Sequence, residues 1–475
     1  MKKTKIIATI GPVSNNKETI AKMILAGCDV IRINLSHATI EFCDEAIKNI
    51  RELEQELNKP IGIMLDTNGP CLRLDEIKEG SVFLTKDREI KLYTYPVLCN
   101  NTQISINYPD VVLDLEIGNV LLLNDGNVIL EVTDVQNDYV VCTVKKEGDI
   151  SSKTSVHIKD FKFDVPFMSE EDHNNIMYAI KQNIDFLALS YVRSEQDVLS
   201  VVDMLIENEN DHISIVSKIE NANAINNLEE IVKVSDGVMV ARGDLALELS
   251  LERLPYFQKT ILSCARDHEK IGIVATDLLA SMENSSAPSR SEVSDIYNAV
   301  MDKCDAVMLS GETTIGEYPV LAVETMNRVI TSAEDDFDYL ENLSNTLRNT
   351  KQDITSSIAY SVVDSSLRLK TSAIIANTNS GYTAQKISHF RPSCPILGLS
   401  PSSDTVHSLT LVYGVIPIQT TECQSTDTIV RMCVRVAKKK MELLDDDIVV
   451  VTGGFPISNK NTNFMKIEVI GQNSD

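Results

Sequence analysis

The chain has no tryptophan, few aromatics (5%) and too few basic residues to balance its acids: 44 Lys and Arg stand against 69 Asp and Glu, a formal charge of −25. The missing tryptophan says nothing by itself about function. The shortage of basic residues does, because nucleic acid and anionic membrane are both held by basic surface, and neither is expected as a partner. No apolar run reaches the roughly 20 residues that span a bilayer. The opening MKKTKIIATIGP has too short an apolar stretch before Gly11 and Pro12 for a signal peptide. A cytoplasmic location is expected. The ten cysteines include no CxxC pair or metal-type cluster, and several sit in apolar runs, as Cys142 does in YVVCTV. Buried, reduced thiols are expected rather than disulfides.

What the chain has is length and alternation. Its 475 residues exceed the roughly 250 that one (β/α)8 barrel absorbs, so two or three domains are expected. Short apolar runs recur at 5–9, 30–33, 61–65, 185–189, 213–217, 237–241, 271–275 and 305–309, with helical patterns between them. Near-continuous apolar runs suit parallel strands buried on both faces, and eight βα units predict a closed barrel rather than an open sheet. Ser169 with Asp172, and Ser194 with Asp197, have the spacing of helix-start caps. The third unit is interrupted between Gly69-Pro70 and Asp164-Val165-Pro166 by alternating patterns such as EIKLYTY and DYVVCTV, which predict an inserted antiparallel β domain. After about residue 340 the βα alternation resumes. The predicted class is therefore α/β, with a barrel over 1–69 and 166–340, an inserted β cap over 70–165 and a C-terminal α/β domain over 341–475.

Barrel enzymes place their chemistry just past the C-terminal ends of the strands. Here those positions are polar: Arg32, Asn34 and Ser36; Asp66-Thr67; Ser190 and Arg193; Lys218 and Glu220; Arg242-Gly243-Asp244; Thr276; and Ser310-Gly-Glu312. Any one of them has an ordinary reading as a solvated loop residue. Together, Glu220 and Asp244 from neighbouring strands could share a magnesium ion through oxygen ligands, while Lys218 and Arg32 supply the positive charge that a transferring phosphoryl group demands. A turn at Arg242-Gly243-Asp244 ahead of a helix would present N–H groups to an anion. Asn34, Ser36, Asp66 and Thr67 form an oxygen-rich set that reads either as an ion site or as a hydrogen-bonded network.

At these residues the sequence resembles the pyruvate kinase family. TKIIATIGP at 4–12, IRINLSHA at 31–38, MLDTNGP at 64–70, DFLALSYVRS at 185–194, SKIEN at 217–221, DGVMVARGDL at 236–245 and DAVMLSGET at 305–313 carry the resemblance. It implies phosphoryl transfer between phosphoenolpyruvate and ADP, with Mg2+ or Mn2+, and usually a homotetramer. By resemblance Arg32 contacts the phosphoryl group and Lys218 stabilises it in flight. Glu220 and Asp244 ligate the divalent metal; Asn34, Ser36, Asp66 and Thr67 hold K+; and Asn34, His37 and Arg73 lie near the nucleotide. Gly243, Asp244 and Thr276 contact the substrate carboxylate, with Thr276 on the route that protonates the enolate. A barrel kept only as a binding module, and another phosphoenolpyruvate-using barrel enzyme such as a lyase, are the competing readings.

The departures matter as much. Where the family usually has LDTKGPEIRTG this chain has LDTNGPCLRLD, so Asn68, Cys71 and Leu74 replace Lys, Glu and Thr. The Glu lost at Cys71 is associated with potassium dependence. Asp277 adds an acid beside Thr276, Ala246 follows the RGDL motif, and Arg290 is kept in APSRSE. Thr154 replaces a nucleotide-binding Lys, with Lys153 beside it, whereas Asp125 matches the family turn. NTNSGYTA at 377–384 resembles the effector loop, keeping Thr378, Ser380, Gly381 and Thr383 but placing Tyr382 at a basic position. It reads equally as a working effector site or a vestigial loop. A chain without tryptophan cannot use the Trp that helps bind fructose 1,6-bisphosphate, and VTGGFP at 451–456 resembles bacterial members.

Overall fold

The computed structural model describes residues 1–159, 165–351, 353–422, 425–455 and 462–472. Asp164, Cys423 and Pro456, which enter the sequence readings above, lie outside them. Eight parallel strands close into a barrel: Lys5–Thr9, Val30–Asn34, Gly62–Asp66, Phe186–Leu189, Ser214–Ile219, Gly237–Ala241, Ile271–Ala275 and Ala306–Leu309. The first pairs with both the second and the last, Lys5 opposite Ala306 and Ala8 opposite Ile31, which closes the ring. The apolar runs become strands because both faces are covered. One face fills the barrel with Ile7, Met64, Phe186, Val216, Met239 and Met308, and the other packs on the surrounding helices. Phe186 is fully buried, and its truncation to Ala would cost about 3–5 kcal/mol.

The helices start where the caps predict. Ser169 accepts from the backbone of Asp172, and Ser194 forms a reciprocal capping box with Asp197. The helix Ile40–Leu57 turns Cys43, Ile47, Ile50 and Leu53 inward, the spacing that one buried stripe requires.

Between the third and fourth barrel strands lies a sheet of seven short strands, in spatial order 72–73, 155–158, 120–123, 128–135, 139–146, 89–93 and 103–104. Its pairings are antiparallel except the last, where Lys91 lies opposite Gln103 in parallel register. The expected all-antiparallel insertion is to that extent mixed, because the chain returns from Tyr93 through a loop before pairing again. A separate apolar core including Leu92, Leu121, Val132 and Cys142 holds this sheet together.

The C-terminal unit is a five-stranded sheet, parallel except for its last strand, Phe464–Val469, which runs antiparallel to Ile448–Gly453. It closes the N-terminal end of the barrel. Leu411 joins the barrel's interior cluster, and a Cβ on Gly62 would come within 2.4 Å of Thr410 Oγ1, so the close approach requires glycine there. Polar bridges fix the joint: His407 of the C-terminal unit lies 2.6 Å from Glu54 Oε1 and 3.4 Å from Asp185 Oδ1 of the barrel, and Arg391 donates to Asp305 and to the carbonyls of Lys303 and Cys304. Among the described residues, nine cysteines are free, eight of them buried, and no helix is long and apolar enough to cross a membrane.

Candidate active site

The C-terminal ends of five neighbouring strands bring charged side chains together at the open end of the barrel. Arg32, at the end of the second strand, donates from Nε to Asp66 Oδ2 at 2.8 Å and from a second guanidinium nitrogen to the same oxygen, and reaches Thr9 Oγ1 at 3.0 Å. Lys218 Nζ donates to Ser190 Oγ at 2.7 Å and lies 3.3 Å from Asp66 Oδ1 and 2.9 Å from Glu220 Oε1. Two cations thus share Asp66. Burial opposes ionisation of Asp66, but Arg32 and Lys218 outweigh it and hold its carboxyl below the ordinary range. Burial likewise opposes charge on Lys218, yet Asp66 and Glu220 together raise its pKa above the usual lysine value.

Glu220 is held differently. Its Oε2 accepts from the Tyr191 backbone N–H at 2.5 Å, while Oε1 is buried without a hydrogen bond, the contact with Lys218 being an ion pair only. Burial, with the nearby Asp244 adding to it, pushes the Glu220 carboxyl up to about 7 despite Lys218. Two carboxylates from neighbouring strands, one of them with a buried oxygen that accepts no hydrogen bond, are a donor set that can take a cation, and the hard oxygen ligands fit magnesium or manganese. Among the described residues no group of three or more Asp, Glu, His or Cys forms a denser metal cluster.

Tyr191 and His157 were not expected at this site. Tyr191, in left-handed backbone conformation at φ 55°, reaches both carboxylates: its N–H goes to Glu220 and its phenol donates to Asp244 Oδ1 at 2.8 Å. From the inserted sheet, His157 brings Nε2 to within 3.8 Å of Asp244 Oδ1. Burial lowers its pKa. The only sequence signal for Tyr191 is its place directly after the strand-end Ser190.

Arg242, Gly243 and Asp244 form the first turn of the helix Arg242–Glu248 rather than a turn ahead of it, because the strand passes directly into the helix at Ala241. The Arg242 guanidinium points away from the mouth to Asp295 and the carbonyls of Ala275 and Thr276. The Gly243 N–H donates to Thr276 Oγ1 at 2.9 Å, so the Thr276 hydroxyl proton remains to be donated elsewhere. Thr276 and Asp277 both have positive φ, 66° and 55°, an uncommon conformation for a β-branched residue and a place where strain is stored.

The oxygen-rich set is dispersed across hydrogen bonds and, at Asp66, ion pairs. Asn34 Oδ1 accepts from the Ser36 N–H at 3.1 Å, Ser36 Oγ donates to Asn68 Oδ1 at 2.8 Å, and Thr67 Oγ1 accepts from the Ser190 N–H at 3.2 Å. Ser36 lies beyond the strand, which ends at Asn34, so the alternation that would align it with Arg32 has already stopped. His37 is half-buried; its pKa is lowered by burial and by the nearby cations Arg73 and Arg32. Arg73 donates to the Lys153 carbonyl at 3.0 Å, and Thr154 turns its hydroxyl to the Ser151 N–H. Cys71 is buried, with Sγ 3.8 Å from the Tyr191 phenol; burial raises its thiol and keeps it neutral.

Residues 1–323 match the family described as "Pyruvate kinase, barrel domain", and residues 356–468 match "Pyruvate kinase, alpha/beta domain". The chain belongs to the pyruvate kinase family. It is 38% identical over 474 residues to the pyruvate kinase of Staphylococcus epidermidis, covering 99% of this chain and 81% of that one. The pyruvate kinases of Staphylococcus haemolyticus and Bacillus licheniformis are each 37% identical, over 474 and 473 residues, with the same coverage. As a family member the chain is a phosphotransferase.

The effector-loop residues lie away from this mouth. Gly381, at φ 82°, opens the helix Tyr382–His389, Thr378 donates its N–H to the Leu399 carbonyl, and Thr383 Oγ1 lies 2.8 Å from Thr462 Oγ1. That helix faces the loops at the N-terminal end of the barrel, as the Lys386–Glu269 ion pair shows.

Proposed function

We propose that the chain moves the phosphoryl group of phosphoenolpyruvate to ADP, giving pyruvate and ATP in glycolysis, at the mouth built from Arg32, Lys218, Glu220, Asp244 and Thr276. The observation that carries this reading is Lys218 Nζ, fixed by Ser190 at 2.7 Å and Glu220 at 2.9 Å. A lysine held by three oxygens is in place before the reaction and need not reorganise as charge develops. Arg32 and Lys218 bind the phosphoryl oxygens, and Lys218 stays beside the phosphoryl group as it leaves the enolate oxygen. Thr276, whose Oγ1 already accepts a hydrogen bond, donates to the substrate carboxylate and relays a proton to the enolate. Glu220 and Asp244 would hold Mg2+ or Mn2+, which when bound sets positive charge against the substrate oxygens. Asn34, His37 and Arg73 face the nucleotide from the barrel and cap sides. Asn34, Ser36, Asp66 and Thr67 offer oxygens to K+.

A coupled assay for pyruvate formation from phosphoenolpyruvate and ADP, with magnesium, tests the reading. No pyruvate, or pyruvate formed equally well without ADP, refutes it. Calorimetric ADP binding separates a kinase from a lyase, which needs no nucleotide. The reading extends to a cytoplasmic homotetramer, checked by sedimentation, and to domains bounded at 1–69 with 166–340, 70–165 and 341–475. The loop of Thr378, Ser380, Gly381 and Thr383 would take a phosphorylated effector other than fructose 1,6-bisphosphate.

A further inference from the structure

The strand 155–158 of the inserted sheet lies between the strands 72–73 and 120–123, with His157 in register opposite Leu122. Its neighbours Val156 and Ile158 belong to the cap's own apolar core, so alternation along the strand aims the His157 ring the other way, at the barrel. His157 is only 7% exposed, yet its Nε2 is buried without a hydrogen-bond partner. That nitrogen stops 3.8 Å from Asp244 Oδ1, longer than a hydrogen bond, and the ring centroid stands 6.2 Å from that of Tyr191. A buried polar atom left without a partner costs free energy, and an apolar side chain of similar size would remove that cost. The folded chain therefore carries at His157 a burden that a leucine would not. Pro70, Cys71 and Tyr191 line with it a cavity of about 60 Å³ between cap and barrel, which leaves the ring room to move.

The two oxygens of Asp244 are not equivalent. Oδ1 accepts from the Tyr191 phenol at 2.8 Å and also faces His157, whereas among the described residues nothing donates to Oδ2. Donors gathered on one oxygen of a ligating carboxylate fix its orientation and turn the other oxygen to the ion. Tyr191 makes its bond as the chain stands. His157 does not, and a shift of about 1 Å would complete it. Burial lowers the His157 pKa against the pull of Asp244 and Asp125, so the ring serves as a neutral donor and not as a counter-charge.

We propose that His157 is a positioning residue for the divalent-cation site: its Nε2–H closes onto Asp244 Oδ1 when Oδ2 takes the ion, joining cap to barrel through the loaded carboxylate. The inference rests on the reading that Asp244 is a metal ligand. The two donors on Oδ1 then act in opposite senses. Tyr191 is bonded before the ion arrives and favours the free carboxylate, while His157 gains a partner only afterwards and favours the loaded one.

The probe is Mn2+, titrated into the full chain without substrate and read by electron paramagnetic resonance, alongside thermal unfolding of the metal-free chain. His157→Leu should weaken Mn2+ binding at least about tenfold. The same variant, metal-free, should unfold at the temperature of the unmodified chain or higher, because the orphaned nitrogen is gone. His157→Gln, whose amide nitrogen reaches about as far as Nε2, should keep Mn2+ binding within about threefold of the original. A side chain needed only for packing would behave otherwise: the leucine variant would lose stability, and glutamine would restore no affinity. If His157→Leu does not fold, His157→Met supplies the same two readings. Asp244→Asn separates this inference from the reading beneath it. Mn2+ binding unchanged by Asp244→Asn removes the ligand assignment and the proposal with it. Binding weakened by Asp244→Asn but kept within about twofold in His157→Leu overturns the positioning role alone. Equal weakening by the leucine and glutamine variants overturns it too.

Discussion

Lys218→Met separates catalysis from folding. The ammonium is needed most as the phosphoryl group leaves, so its loss falls on the transition state more than on substrate binding. One preorganised donor is worth about 10²–10³ in kcat, and a full positive charge at the reacting group should exceed that, so kcat should fall at least about 10³-fold with KM changed far less. The effect on stability follows from the neighbours. Removing one partner of a buried ion pair costs roughly 3–5 kcal/mol when the other must stay charged. Asp66 keeps Arg32, so the exposed partner is Glu220. Its carboxyl already sits at about 7, and at about pH 7.5 protonating it costs about 0.7 kcal/mol, less once Lys218 is gone and the value climbs further. The metal-free variant should therefore lose only about 1 kcal/mol near neutrality. Since the folded value lies above the ordinary 4.5, the stabilisation from neutral Glu220 is complete below that pH and is lost as pH rises through about 7; the variant should show this loss displaced to higher pH. The assays are coupled pyruvate formation and denaturant unfolding across that range. A kcat within about tenfold of the unmodified chain's refutes the assignment, and loss of fold at neutral pH refutes the argument from Glu220 protonation.

Glu220→Gln or Asp244→Asn should each weaken Mn2+ binding, measured directly on the free protein by electron paramagnetic resonance, by at least about tenfold and reduce activity with it; unchanged binding places the ion elsewhere. Tyr191→Phe removes the hydrogen bond that stabilises metal-free Asp244, worth about 1.5 kcal/mol, so Mn2+ should bind up to about tenfold more tightly, and weaker binding contradicts this. Cys71→Glu should increase stimulation by K+ at fixed ionic strength, and identical titrations before and after would mean the nearby oxygens alone set the affinity. His389, pushed down to about 4 mainly by burial, contributes stability present above the ordinary 6.5 and lost as pH falls toward 4. His389→Gln should remove up to about 3 kcal/mol of acid destabilisation over that window, read by unfolding at each pH.

The barrel was legible because its signal is local and repeated. Strands buried on both faces must be apolar throughout, and the runs at 237–241 and 271–275 coincide with strands residue for residue. The mouth was legible because each strand hands its polar residues to the same end. What escaped depends on direction rather than position. Tyr191 reaches two carboxylates only because its φ is 55°, which nothing in SYVRS announces. The helix start at Arg242 and the parallel pairing of Lys91 with Gln103 depend on contacts made elsewhere in the chain.

The charge balance at the mouth argues for an order of events. Arg32 and Lys218 stand against Asp66, Glu220 and Asp244, two cations against three carboxylates, with Glu220 raised to about 7 mainly by burial and further by Asp244. Phosphoenolpyruvate carries both a carboxylate and a phosphate, so the mouth in this state repels it, and a divalent cation between Glu220 and Asp244 would reverse the sign before the substrate arrives. Cys71 bears on the same balance. A carboxylate in its place would lie beside Tyr191 and add a fourth negative charge, deepening the need for a second, monovalent cation. The neutral thiol removes that charge at its source, so this chain should reach a substrate-accepting mouth with one bound cation where a member carrying the Glu needs two.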